Sequence, residues 1–199
     1  MRRWWCAGVV PAAILGALAP LGLVLWGGFS ARPEPPAFEA RLARGLRGLA
    51  IPAAVRDAPN PIQATPRVLA AGLDHFADHC ASCHANDGSG ATPLGRQLYP
   101  RAPDLRGPAT QGLSDGALFY VIENGVRYTG MPGWGGAGKP EESWKLVAFI
   151  RHLPDLSAEE EARMRRLNPR GPEAWRELQD EEEFLGGGAP APAAAHVHH

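Results

Sequence analysis

The chain has 199 residues, a formal charge of −1, 24 glycines and 20 prolines, which leaves room for one small folded domain plus accessory segments rich in turn and linker. No concentrated Lys/Arg patch occurs, so the electrostatic footprint of a nucleic-acid-binding protein is absent.

After Arg2 and Arg3 there is no charged residue from Trp4 to Phe29. A helix over that run would span about 39 Å, more than the ~30 Å of a hydrocarbon core. The expectation for residues 1–30 is an uncleaved membrane anchor with Trp4, Trp5 and Trp26 near its ends and the arginines held in the cytoplasm. A cleaved signal peptide, with Ala17-Leu18-Ala19 as its small-residue site, is the competing reading. With an anchor, everything after residue 30 lies on the far side of the membrane.

Residues 31–66 hold seven prolines and five arginines against three acids. They read first as a semi-stiff, Pro-rich spacer. Two other readings stay open: Leu42, Leu46, Leu49 and Ile51 as a strap on the domain, or the arginines against anionic headgroups.

Thr65-Pro66 is a hydroxyl cap followed by proline at the first helical position, and it predicts a helix to about Ala81 with Val68, Leu69, Gly72, Leu73 and Phe76 on one face. Residues 85–112 read mostly as loop. Ser114 caps a second expected helix, Asp115 to Asn124, closed by Gly125, and Pro140 opens a third that Pro154 ends. No alternating segment long enough for a sheet stands out, so the fold class is all-α. Ser157-Ala-Glu-Glu160 is a capping box opening a polar helix to about Leu167, and Pro172 to Leu185 reads as another. The expected organisation is anchor 1–30, linker 31–66, domain 67–155, acidic helical extension 156–185 and flexible tail 186–199.

The chemistry concentrates in "HFADHCASCH", residues 75–84. Two thiols in Cys-x-x-Cys add across the vinyl groups of haem as thioethers, and the adjoining histidine sits under the iron. Cys80, Cys83 and His84 fit that pattern with no gap. A structural zinc site needs four N/S ligands, and no second cysteine pair is present to supply them. A thioredoxin-type redox pair needs a strand and a βαβ context that the pattern lacks. His75 and His79, beside Asp74 and Asp78, read as solvated positions on the outer helical face, and His152 as an exposed residue.

With these pieces, residues 67–155 resemble class I c-type cytochromes, in particular the single-haem domains similar to the haem c subunits of respiratory oxidases. Gly72-x-x-x-Phe76-x-x-x-Cys80-Ala-Ser-Cys-His84 resembles the first helix and haem site, Asn86 to Gly90 the haem-side loop, and Ala102 to Leu105 the proline loop. Ile122 to Trp134 resembles the distal-ligand segment and Trp144 to Leu153 the final helix. The resemblance implies one covalent haem c, with Met131 as sixth iron ligand and Pro103 bonding its carbonyl to the other ring nitrogen of His84. It further implies Gly72 and Phe76 packed near Phe149, and Arg127, Tyr128 and Trp134 beside the haem propionates. A soft thioether on a Gly130-Met131-Pro132-Gly133 loop is physically suited to approach a porphyrin face.

Such His/Met ligation leaves no open site for substrate, so the expected role is one-electron transfer rather than catalysis. Leu94, Leu98, Leu105, Val121, Ile122 and Phe149 are the expected apolar shell. The leading expectation is a carrier anchored in a bacterial inner membrane, its domain in the periplasm, shuttling between a quinol-oxidising complex and an oxidase or reductase. The alternative is a haem c subunit of a membrane oxidoreductase or oxidase complex. Peroxidase or gas-sensing activity needs an open axial position. At the C-terminus His196, His198 and His199 either bind a divalent metal such as copper, nickel or zinc or serve solubility alone.

Overall fold

The computed structural model describes residues 16, 18, 30–136 and 138–168. Residues 1–33 and 34–199 form separate contact units, and every element named below belongs to the second. The helices in chain order are α1 (Ala37–Ala50), α2 (Ala53–Arg56), α3 (Pro66–His79), α4 (Ala81–His84), α5 (Pro93–Gln97), α6 (Pro108–Gln111), α7 (Asp115–Asn124), α8 (Pro140–His152) and α9 (Ala158–Leu167), with a 3₁₀ turn at Leu153–Asp155. No strand occurs among the described residues, so the folded part is helical as expected.

Local hydrogen bonds explain where the main helices start. The Thr65 hydroxyl accepts from Val68 N–H, the Ser114 hydroxyl from Ala117 N–H and the Ser157 hydroxyl from Glu160 N–H, each quenching a donor that the first turn leaves unpaired. The reciprocal half of the capping box is present, with Glu160 accepting from Ser157 N–H at 2.9 Å.

The core forms where α3 crosses α8. A Cβ on Gly72 would lie 2.6 Å from the Lys145 carbonyl oxygen and 2.7 Å from Phe149 Cβ, so only glycine lets the two backbones approach this closely. Around that crossing Leu73, Phe76, Leu146, Val147 and Phe149 are fully buried, and the Phe76 and Phe149 rings meet at 5.4 Å with a 56° tilt. α7 closes one side with Leu118 and Ile122.

Two segments depart from expectation. Residues 37–62 are not a free spacer: they form α1 and α2 and are tied to the domain. Ile51 is buried, Ser114 Oγ donates to the Arg56 carbonyl at 2.5 Å, and Asn60 Nδ2 donates to the Trp144 carbonyl at 3.0 Å. The absence of a side chain at Gly116 is what admits the α2 backbone, since a Cβ there would collide with the Val55 carbonyl oxygen. Prolines at positions 52, 59 and 61 shape this strap as readily as they would stiffen a linker.

The second departure is α9. It docks on α3 and buries Met164 completely, and Arg163 grips Asp74 through Nε at 3.0 Å and Nη2 at 2.6 Å. The start of the acidic extension is therefore part of the domain's core.

Among the described residues no helix is long and apolar enough to cross a membrane. The expected anchor, the expected helix from Pro172 and the histidine tail lie outside the described residues.

Candidate functional site

Cys80 closes α3, and Cys83 and His84 follow on α4, where His84 N–H bonds back to the Cys80 carbonyl at 2.9 Å. Helical spacing of three residues puts both thiols on one side of the turn. Cys80 and Cys83 are not joined by a disulfide. Burial pushes the Cys80 thiol up to about 12, with Cys83 adding to the shift, so the free side chain has little thiolate character.

Ala85 then turns the chain at φ 64° and ψ 164°, a conformation that belongs almost entirely to glycine and costs an alanine about 1–3 kcal/mol. The turn lets Gly90 N–H donate to the His84 carbonyl at 2.8 Å. Gly90 itself lies at φ 72°, where a Cβ would stand 2.4 Å from the Ala102 carbonyl oxygen. The loop therefore closes against the proline segment with no room for a side chain.

That closure brings the Pro103 carbonyl to 3.4 Å from His84 Nδ1, a long contact in which Nδ1–H is the donor. It commits Nδ1 and leaves Nε2 as the nitrogen with a lone pair to give. Burial lowers the pKa of His84, opposed more weakly by the Pro103 bond, so the imidazole is favoured in the neutral form that ligates metals. The Leu105 N–H to Gly88 carbonyl bond at 2.8 Å and the Arg106 to Asp87 ion pair at 2.9 Å hold the rest of the loop.

Met131 lies on a turn after α7. The Thr129 hydroxyl donates to the Val126 carbonyl at 2.8 Å and accepts from Met131 N–H at 3.1 Å, while the Met131 carbonyl accepts from Val126 N–H at 3.0 Å. Gly130 rests against the Leu98 side chain at one end of the loop, and Trp134 stacks on His79 at the other, ring centres 5.2 Å apart. Leu98 follows α5, whose capping residue Thr92 is buried and donates its hydroxyl to the Cys83 carbonyl at 3.1 Å. Contacts from both ends of the methionine loop thus lead back to the Cys80–His84 segment.

The remaining expected residues fall differently. Trp134 is partly exposed against His79, Arg127 is exposed, and Tyr128 is 91% exposed at φ 62°, so none of the three is buried. Of the apolar shell, Leu105, Ile122 and Phe149 are buried, Leu98 and Val121 are half-buried, and Leu94 is exposed.

His75 and His79 are not both free on an outer face. Their rings meet edge to face at 5.0 Å, His75 lies 4.0 Å from a Glu142 oxygen, and His79 carries Trp134. Burial and the neighbouring His79 lower the His75 pKa. His152 is likewise engaged, with Nε2 at 3.0 Å from Glu160. For His75 and His79 the added partners, Glu142 and Trp134, lie more than fifty residues along the chain, which helical periodicity cannot supply. Among the described residues, no group of three His, Cys, Asp or Glu side chains could hold a metal ion.

One feature went unread in the sequence: Asn86, next to the strained Ala85, is paired with Asn168 at the end of α9. Asn86 stood within a recognised loop, but nothing local marks a partner 82 residues away.

Paired thiols, an imidazole oriented through Nδ1 and a thioether on a braced loop make a donor set suited to covalently held haem, and they point to the class of c-type cytochrome domains. In agreement, residues 67–150 match the family model for cytochrome C oxidase, cbb3-type, subunit III. This segment is a class I c-type cytochrome domain, like the haem c subunits of the cbb3-type oxidases, and its chemistry is haem-based electron transfer. The match ends before α9 and begins after the strap, so both packed flanks lie outside it.

Proposed function

We propose that this protein is a membrane-anchored periplasmic monohaem cytochrome c that passes single electrons between respiratory-chain partners. In this reading Cys80 and Cys83 hold the haem covalently, His84 and Met131 ligate the iron, and Pro103 orients His84. When bound, the haem supplies a one-electron ferric/ferrous couple.

The observation that carries the reading is the Pro103 contact to His84 Nδ1, which directs Nε2 to a ligand, together with Met131 on a loop braced by Leu98 and His79. With His84 and Met131 both holding the iron, no position would be left open for oxygen or peroxide, which would favour electron transfer. The half-buried Leu98 and Val121 and the exposed Leu94 are apolar surface suited to cover a porphyrin. Arg127 and Tyr128, both exposed, are available to propionates.

The chain's uncharged run from Trp4 to Phe29 supports the anchor, which would confine the domain to diffusion in the membrane plane and raise its effective concentration near membrane partners. The test is spectroscopic. The wild type is expected to show a low-spin haem c with a methionine-to-iron band and no carbon monoxide binding when reduced. Loss of that band in Met131→Ala with retained covalent haem supports the assignment; an unchanged coordination spectrum in the variant sinks it. Extraction with alkaline carbonate checks the anchor: recovery in the soluble fraction counts against it.

The family match to an oxidase subunit favours a second reading, a haem c subunit of a membrane oxidoreductase or oxidase complex. Recovery of a stoichiometric partner in mild detergent selects it over the mobile carrier.

A further inference from the structure

α1 presents an apolar face that the domain does not use. Among its 14 residues none is buried, and Phe38 (72%), Leu42 (50%), Leu46 (57%) and Leu49 (82%) are exposed. At helical periodicity these four fall within an arc of about 80°, a single stripe. Arg41 is exposed beside the stripe, about 60° from its edge, whereas Arg44 is exposed on the far face of the helix, and neither they nor Arg47 make an ion pair among the described residues.

The attachment of α1 to the domain is polar and borders one edge of the stripe. Tyr99 Oη donates to Glu39 Oε1 at 2.8 Å, and Arg101 pairs at 2.8 Å with Glu34, just before the helix. Ile51, immediately after α1, is buried and fixes its exit. Gly45 and Gly48 sit in open space and weaken an isolated helix, so a surface that rewards the amphipathic conformation is called for.

The chain itself identifies that surface. Only residues 30–36 separate the uncharged run ending at Phe29 from the start of α1, and seven residues reach no further than about 25 Å. A helix so close to the end of the expected membrane span, with an apolar stripe bordered by Arg41, matches the chemistry of an anionic lipid interface.

We propose that α1 lies in the plane of an anionic membrane surface, with Phe38, Leu42, Leu46 and Leu49 at the acyl boundary and Arg41 among the headgroups. This rests on the anchored reading above. Its consequence is orientation: α1 is fixed to α7 through the α2 strap, so seating it would set the tilt of the cytochrome domain and restrict which faces meet membrane partners.

The test uses the full-length holoprotein carrying Cys6→Ser, with a nitroxide attached at Leu46→Cys or Ala43→Cys, reconstituted in vesicles of phosphatidylcholine with or without phosphatidylglycerol. At position 46 the ratio of accessibility to oxygen over that to a water-soluble nickel chelate is expected to rise several-fold above that at position 43. Arg41→Gln, or omission of phosphatidylglycerol, should reduce the difference. Free access of nickel at position 46 in carbonate-resistant protein overturns the proposal and leaves the anchor intact. Exclusion of both probes overturns it too, since it means the stripe is covered by protein, either a second copy or residues 169–199. Carbonate-released protein whose position 46 still excludes nickel on anionic vesicles supports the interfacial helix while refuting the anchor.

Discussion

Asn86 and Asn168 hold each other in a reciprocal pair, Asn86 Nδ2 donating to the Asn168 carbonyl at 3.1 Å and Asn168 Nδ2 to Asn86 Oδ1 at 3.0 Å. The pair joins the end of α9 to the turn two residues after His84. The helix beyond the family match is thereby linked to the segment expected to orient the iron ligand. Asn168→Ala removes one of the two bonds and is expected to lower stability by about 0.5–1.5 kcal/mol. The denaturant midpoint measures that loss. A shifted haem potential in the same variant, with Asn168→Gln closer to wild type, would show that the pair also positions the loop.

Met164 is the deepest contact of α9, with no exposed surface. Truncating a buried methionine removes its transfer free energy and leaves a cavity. Met164→Ala is expected to cost about 2–5 kcal/mol in equilibrium unfolding, a loss expected only if the helix belongs to the cooperative core. A change below ~0.5 kcal/mol would mean that α9 docks loosely.

The crossing at Gly72 leaves no space for even one carbon. Alanine is the better helix former, yet its Cβ would press on the Lys145 carbonyl and on Phe149. Gly72→Ala is expected to destabilise by about 1–3 kcal/mol through overpacking, read as a lower thermal midpoint. Gly45→Ala in the open stretch of α1, with nothing within 4 Å, should cost nothing and serves as the control.

Glu160 gives α9 an acid-sensitive hinge. Burial works against its ionisation, but the bonds from Ser157 N–H, the Ser157 hydroxyl and His152 outweigh it and hold its carboxyl below the ordinary range. A carboxyl lowered on folding stabilises the fold above its unfolded value near ~4.3, and that contribution is lost as pH falls through the lower folded value. The gap in thermal midpoint between wild type and Glu160→Gln is therefore expected at pH 7 and should close by about pH 3. A constant gap across that interval would show that charge is not the source.

Much of this protein is decided within a few residues of chain. The caps at Thr65, Ser114 and Ser157, the prolines opening α3 and α8 and the Cys80–His84 spacing act through bonds no longer than a helical turn. That is why the helix starts, the all-helical class and the Cys-x-x-Cys-His pattern are readable from the sequence. The tertiary structure alone decided which surfaces meet. Val55 against Gly116, His79 against Trp134 and Asn86 against Asn168 are pairs separated by more than fifty residues. Such contacts turned an expected spacer into a strap and His79, an expected bystander, into a brace for the methionine loop, and they made the start of the acidic extension part of the core. Local patterns determine which segments are helical, whereas the partner of an exposed-looking side chain depends on shapes assembled from the whole domain.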